Sequence, residues 1–533
     1  MRKVLSRAVQ RIVRQEMPPE AIFQTLSAVI VIRTVIEKLL SSGHTLLYDP
    51  VNHYGGLVGD LHMYFSWVVI FLSMSLPVAL FLKVPYRDAL KLTLVGFCIT
   101  LCVPLIDYAV TWGKGDEIRY FRNFDSFFYN YVNIFNPFAA MQGVTFGVRV
   151  EVLTLFFGSF LFAWQGLGRG LVRSFLLALT LYSLVYFFGY ILPIHKLIGL
   201  DLMAMGAEST TAIDGAQSLF FAYLAPFLIC LAGIALVLWH QDRGAARVIG
   251  ALLYPSRLLF YLWLLGFGFL FTAQQAGTLP RIFNRPDLFK WFCAACSILL
   301  LFIYAKLIND LHDQAIDRIS NRQRPLVAGA IGEAQAQGLA TVFLTLSAVL
   351  AIPVERDFFY CWLFIWGLSY LYSTPPFRLR RFWPVSHLTL TFVGGGVFMA
   401  GACIAKPNDF YAIWKAKEAL VYLLAAFFLL SHIKDLKDIE GDRAAGVFNP
   451  FGAVNPRGLT LIVIAAFLTM AFFAAAGLGV SAAATAAGTV VCAAIALFLT
   501  LRTPQPAGLD RLFGIAFCFV MVLSGAWLYH FLG

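Results

Sequence analysis

Apolar residues recur in runs near 20 along the chain, separated by short polar or basic stretches. About 20 residues is the length an α-helix needs to cross the roughly 30 Å hydrocarbon core of a bilayer. The runs predict helices near 21–40, 63–83, 90–112, 151–166, 171–193 and 217–239. A second series is predicted near 258–276, 288–308, 334–354, 358–373, 386–404, 418–433, 457–478, 481–500 and 512–532. Backbone polar groups find no partner in lipid, so such runs are helical, and the pattern predicts an all-α polytopic membrane protein with about fifteen spans. The run 21–40 contains Arg33, Glu37 and Lys38. An interfacial helix is one reading of it. A span is favoured because removing it inverts every later loop.

Composition and charge then set the solvent and the sides. Hydrophobic residues make up 60%, charged residues 13%, and the mean hydropathy is +0.77. A soluble domain carries about twice that charged fraction. The net charge of +11 is therefore read by side of the membrane and not as a nucleic-acid signal. Under alternation several basic groups fall on one side: Arg2 to Arg14, Lys83 to Lys91, Arg169 and Arg173, Arg243 and Arg247, Arg318 to Arg324, and Arg378 to Arg381. That side is cytoplasmic by the positive-inside rule. Lys114, Arg119, Arg122, Lys406, Lys415 and Lys417 fall on the other. The expectation is a protein of the bacterial cytoplasmic membrane, with no cleavable signal peptide. All nine cysteines lie in apolar runs, and Cys293 with Cys296 reads as a pair of packed thiols. A boundary is expected near 240–256, separating a membrane domain, 1–245, from a second one, 250–533.

Chemistry concentrates in the second part. One acidic cluster reads Asn309-Asp310-Leu311-His312-Asp313-Gln314-Ala315-Ile316-Asp317, and another Lys434-Asp435-Leu436-Lys437-Asp438-Ile439-Glu440-Gly441-Asp442. Each places carboxylates at i, i+3 and i+7, which share one face of a helix. The three matching pairs have the same offset, and both clusters end apolar runs on the cytoplasmic side. Six carboxylates in two rows repel one another unless a cation sits between them. Hard oxygen ligands of this kind suit Mg²⁺. Either cluster alone also reads as a solvated loop. Arg322 and Arg324 follow the first cluster and suit phosphate oxygens in fork geometry, or serve only as inside-positive charge. Lys434 is a further point charge for phosphate. Dinucleotide and phosphate-loop glycine patterns, a nucleophile–base constellation and a His-Glu-x-x-His motif are all missing.

These residues resemble the UbiA superfamily of intramembrane prenyltransferases. Asn309-Asp310-x-x-Asp313-x-x-x-Asp317 with Arg324-Pro325-Leu326 looks like its first motif, and Lys434-Asp435-x-x-Asp438-x-x-Gly441-Asp442-Arg443 like its second. Tyr372-Ser373-Thr374-Pro375-Pro376-Phe377-Arg378 resembles the segment between them. The resemblance covers about 250–533; its details look closest to the branch that makes archaeal ether lipids and chlorophyll, except for Val447-Phe448-Asn449-Pro450 after Gly446. It implies a nine-helix bundle, preceded here by about six additional spans of unassigned role. It implies Mg²⁺-dependent transfer from an isoprenyl diphosphate to a lipophilic or aromatic acceptor among membrane lipids. Asp310, Asp313 and Asp317 would hold one metal, and Asp435, Asp438 and Asp442 another. Arg324, Arg378 and Lys434 would neutralise the diphosphate, Asn309 would orient the metal shell, and Tyr372 would face an allylic cation or simply anchor at the interface. Two other readings stay open. One is an enzyme of the same fold passing a phosphoribosyl-type group to a polyprenyl phosphate. The other is a non-catalytic lipid-handling or partner-docking membrane protein.

Overall fold

A computed structural model of the chain describes residues 12–13, 17–40, 53–112, 124–141, 144–191, 194, 215–241, 255–277, 285–322, 324–405, 439–444 and 446–448, with isolated positions between 420 and 431. The runs expected at 457–478, 481–500 and 512–532, and part of 418–433, lie outside the described residues. Among the described residues all regular structure is helical. Nine of these helices are long and apolar enough to cross a membrane. The chain forms two compact units, Met1–Ala246 and Arg247–Gly533.

In the first unit α1 (Pro19–Leu40) packs against α2 (His53–Leu82), α3 (Tyr86–Phe97) and α4 (Val103–Val110). A 3₁₀ turn, Cys98–Cys102, joins α3 to α4 within one span, Tyr86–Val110. Pro104 at the start of α4 has no N–H to give to the preceding turn, which accounts for the change of winding there. The charges of α1 do not prevent it from packing. Arg33 is 1% exposed, pairs with Glu37 at 2.6 Å, and lies 4.5 Å over the Trp67 ring. Val31, Ile32 and Val35 point outward. Ile22, Leu26, Val29 and Ile30 face the core with Arg33, and α1 is not among the nine helices long and apolar enough to cross a membrane.

The unit continues with α5 (Phe124–Asn133), α6 (Phe146–Leu161), α7 (Leu171–Gly189), α8 (Gly215–Ala222) and α9 (Leu224–Gln241). The segment between the helices predicted near 90–112 and 151–166 is thus partly helix. Phe127 and Tyr131 of α5 pack on Tyr182 and Tyr186 of α7. Arg149 donates to the carbonyls of Ile134 (3.1 Å) and Asn133 (3.4 Å), tying down the exit from α5.

The second unit contains α10 (Pro255–Gln275), α11 (Arg285–His312), α12 (Gln314–Ser320), α13 (Glu333–Ala351), α14 (Arg356–Ser373), α15 (Val385–Ala405) and α16 (Ile439–Ala444). Glycines let α15 lie directly on α10. A Cβ on Gly268 would stand 1.9 Å from the Phe398 carbonyl oxygen, and one on Gly401 2.0 Å from that of Leu265. Small residues permit this backbone approach, which is how helices gain packing where lipid supplies no hydrophobic drive. Polar groups join α11, α13 and α14. The Ser297 hydroxyl donates to the Ser347 carbonyl (2.8 Å), the Ser347 hydroxyl to that of Ser297 (2.7 Å), and Trp362 Nε1 to Ser347 Oγ (2.8 Å).

The first acidic cluster departs from a single straight helix. α11 ends at His312, Asp313 is the junction at φ −106° and ψ 10°, and α12 begins at Gln314. The Asp313 N–H still donates to the Asn309 carbonyl (3.0 Å) and that of Asp317 to the Asp313 carbonyl (2.9 Å), so the face is bent and not scattered.

Candidate active site at the end of α11

The end of α11 gathers carboxylates that would repel if left alone. Asp310, Asp313, Asp317 and Asp442 are all buried, at most 5% exposed. Burial of a carboxylate is costly unless a cation and hydrogen bonds meet it. Four cations do so. Arg324 Nη1 reaches Asp310 at 2.5 Å and also bonds to Asp317. Lys306, one turn before Asp310, pairs with it from the same helix. Arg378 Nη2 lies 3.4 Å from Asp313 Oδ1, and Arg380 pairs with the other Asp313 oxygen. Arg380 also reaches Asp442 at 3.7 Å. Amides complete the set: Asn309 Nδ2 donates to Asp313 at 2.5 Å, and Asn321 Nδ2 to Asp317 at 3.1 Å. Burial pushes the Asp317 carboxyl upward, and the Arg324 guanidinium opposes it.

Local structure explains how these groups arrive. Pro375 and Pro376 follow the last turn of α14 and cannot extend it. The chain turns back through Arg378 at φ +42°, a left-handed conformation that a residue with a Cβ rarely adopts. In that conformation Arg378 donates to the His312 carbonyl at 2.7 Å, capping the C-terminus of α11 beside Asp313. A short 3₁₀ turn, Leu379–Arg381, then presents Arg380. Packing of α16 on α12 supplies Asp442.

The expected site residues divide accordingly. Asn309, Asp310, Asp313, Asp317, Arg324, Arg378 and Asp442 stand in one connected set of contacts. Arg322 is exposed, and its Nε donates to the Arg318 carbonyl (3.2 Å) instead of facing the carboxylates. Tyr372 is buried at the end of α14. Lys434, Asp435 and Asp438 lie outside the described residues. Among the described residues no three acidic or sulfur and imidazole groups stand together as a ready-made metal cage.

Residues 262–522 match the UbiA prenyltransferase family. The second unit belongs to that family. Among its relatives is a chloroplastic 2-acylphloroglucinol 4-prenyltransferase of Humulus lupulus, 26% identical over 190 residues, which are 34% of this chain and 46% of that protein. Another is a digeranylgeranylglyceryl phosphate synthase of Methanocaldococcus jannaschii, 23% identical over 199 residues, 37% of this chain and 68% of that protein. The chain thus spans about half the length of the first and two thirds of the second. A solved UbiA homologue from Archaeoglobus fulgidus, bound to GPP and Mg²⁺, aligns over 52% of this chain and 98% of its own, at 19% identity and a TM-score of 0.38.

Two cations of the UbiA-family unit escaped the sequence reading of the site. Lys306 was legible as the i−4 neighbour of Asp310 on one helix face. Arg380 stood in the basic group after the prolines, but nothing in spacing distinguished it from Arg381.

Proposed function

We propose that the UbiA-family unit transfers an isoprenyl group from an isoprenyl diphosphate to an acceptor within the membrane, with Mg²⁺ held by the two acidic motifs at the cytoplasmic face. The observation that carries this reading is Arg380, which touches Asp313 of the first motif and Asp442 of the second. The prenyltransferase names of relatives support the reaction class; their differing names leave the acceptor open.

The donor set fits a divalent cation. Buried, hard carboxylate oxygens from both motifs are what Mg²⁺ takes when it shares its shell with phosphate. Asp310, Asp313 and Asp317 would hold one ion; Asp442, with Asp435 and Asp438, would hold another. When bound, the metal supplies charge neutralisation for the departing diphosphate.

The chain's own residues do the rest. Arg324, Arg378 and Lys434 bind diphosphate oxygens, and a guanidinium does so as a planar fork. Asn309 holds the Asp313 carboxylate in place. The bond from the first isoprenyl carbon to the diphosphate oxygen breaks, leaving an allylic cation beside the Tyr372 ring. The acceptor forms its bond to that carbon and releases its proton. Residues 250–533 hold this chemistry, and the first unit tunes access or partners.

The test measures diphosphate release and prenyl transfer by the full chain with Mg²⁺ and with excess chelator. Asp313→Ala and Asp438→Ala should each abolish turnover while the protein still inserts and purifies. Undiminished transfer by either variant, or in chelator, refutes the proposal.

A further inference from the structure

The first unit encloses a cavity of about 420 Å³, within the range of roughly 300–1,000 Å³ seen for small-molecule sites. It is a slot and not a sphere. Along α2 it is lined from Met63 to Leu82, about 28 Å at roughly 1.5 Å per residue, close to the thickness of the hydrocarbon core. Its walls are Ile70, Met74 and Val78 of α2, Leu155 of α6, and Leu181 and Val185 of α7. Two glycines keep it open. A Cβ on Gly96 of α3 or Gly158 of α6 would meet nothing within 4 Å. Glycine inside a helix costs roughly 0.5–1 kcal/mol relative to alanine, so the empty space is bought at a stability cost. α6 also has the least buried apolar window of the nine spans, 17%, so this wall borders lipid.

The two ends of the slot differ. At one end Val78, Leu82, Leu92 and Leu177 belong to a single apolar cluster. At the other stand Glu37 and Glu151. Arg33, Glu37 and Asp107 are the charged neighbours of Glu151. Arg33 is engaged through Nη1 by Glu37 and lies on the Trp67 ring, while among the described residues its Nε and Nη2 make no hydrogen bond. Asp107 is engaged by the Thr145 hydroxyl (2.6 Å) and the Gly147 N–H (2.5 Å). Among the described residues the Glu151 carboxyl makes no hydrogen bond or ion pair. It lines the cavity about one and a half turns into a membrane span, where an unpaired polar group is costly and marks a site.

We propose that this slot binds a single-chain lipid alcohol, its chain toward Val78 and Leu82 and its hydroxyl on Glu151. The carboxyl accepts from a hydroxyl whether or not it is ionised. A carboxylate or phosphate head would meet Glu37 and Glu151 and be repelled. The site is independent of the transfer chemistry proposed for the second unit.

The probe is hexadecanol bearing a diazirine at the carbon farthest from the hydroxyl, photolysed with the full-length protein in nanodiscs and mapped by mass spectrometry. Label is expected on Met74, Val78, Leu82, Leu177 and Leu181, displaced by plain hexadecanol and not by palmitate. Gly158→Trp and Gly96→Phe, each checked for an unchanged melting temperature, should abolish it. Glu151→Leu should weaken it about tenfold, the effect of one hydrogen bond to a charged group. The proposal is overturned if label falls only on lipid-facing residues such as Leu80 and Ile229, or survives undiminished in a folded Gly158→Trp protein. It is equally overturned if palmitate or hexadecylamine displaces the probe better than the alcohol. If both glycine variants unfold, the label map and the head-group series still decide.

Discussion

Four carboxylates and four cations meet within a few residues of His312, and the balance between them is the chief constraint on each residue there. Arg380 is the most open to test, because it touches both motifs. Arg380→Leu leaves Asp313 and Asp442 each short of a partner. Breaking a buried pair from one side costs about 3–5 kcal/mol, so a lowered melting temperature in detergent is expected together with lost diphosphate release. Arg380→Lys keeps the charge but reaches one carboxylate at a time. It should recover most of the thermal stability and still release diphosphate at least about tenfold more slowly. Equal recovery of both by lysine would show that Arg380 acts only as a charge.

Between elements, the decisive contacts are backbone to backbone. Gly266 and Gly268 lie two residues apart on α10 and face different surroundings. A Cβ on Gly268 runs into the Phe398 carbonyl, while one on Gly266 meets nothing within 4 Å. Gly266→Ala should therefore leave the melting temperature unchanged or raise it, since alanine restores about 0.5–1 kcal/mol of helix propensity. Gly268→Ala should force α15 away and lower the yield of monodisperse protein sharply. Similar behaviour of the two variants would mean that α10 and α15 do not touch as described. Ser347 joins three helices by hydrogen bonds. Ser347→Ala strands the Trp362 N–H, and a loss of about 1–3 kcal/mol should appear as a lower melting temperature with the transfer chemistry intact.

For the whole molecule, two compact units and one matched family segment lead to a division of labour that truncation can test. A protein beginning near Gly250 should retain metal-dependent release of diphosphate from an isoprenyl diphosphate. If it folds and binds substrate yet releases none while the full chain does, the first unit contributes to the reaction. Sidedness is tested by single cysteines near Arg11, Gln314 and Gly533 in a cysteine-free background. An impermeant thiol reagent added to intact cells should label only the site near Gly533. Labelling at Gln314 from outside would reverse the orientation, and labelling at Arg11 alone would show that α1 does not cross.

The sequence by itself determined the solvent and the element type, and it placed the candidate site. Runs of apolar residues leave lipid no alternative to helices, and matched acidic spacings single out Asp310, Asp313, Asp317 and Asp442 from any background. The resemblance carried Asn309, which reaches Asp313 one turn away. What it left open lay in contacts between distant segments. Arg380 differs from Arg381 only through a left-handed Arg378 and the turn after it. Arg322 and Arg324 are two residues apart, yet one reaches the buried carboxylates and the other meets a backbone carbonyl. α1 carries charges that left a span or an interfacial helix open in one dimension, and Arg33 among them turns inward to Trp67 in three. The slot beside Glu151 has no sequence signature, because an empty volume is the shape that neighbouring helices leave between them when glycine stands where a side chain would have filled it.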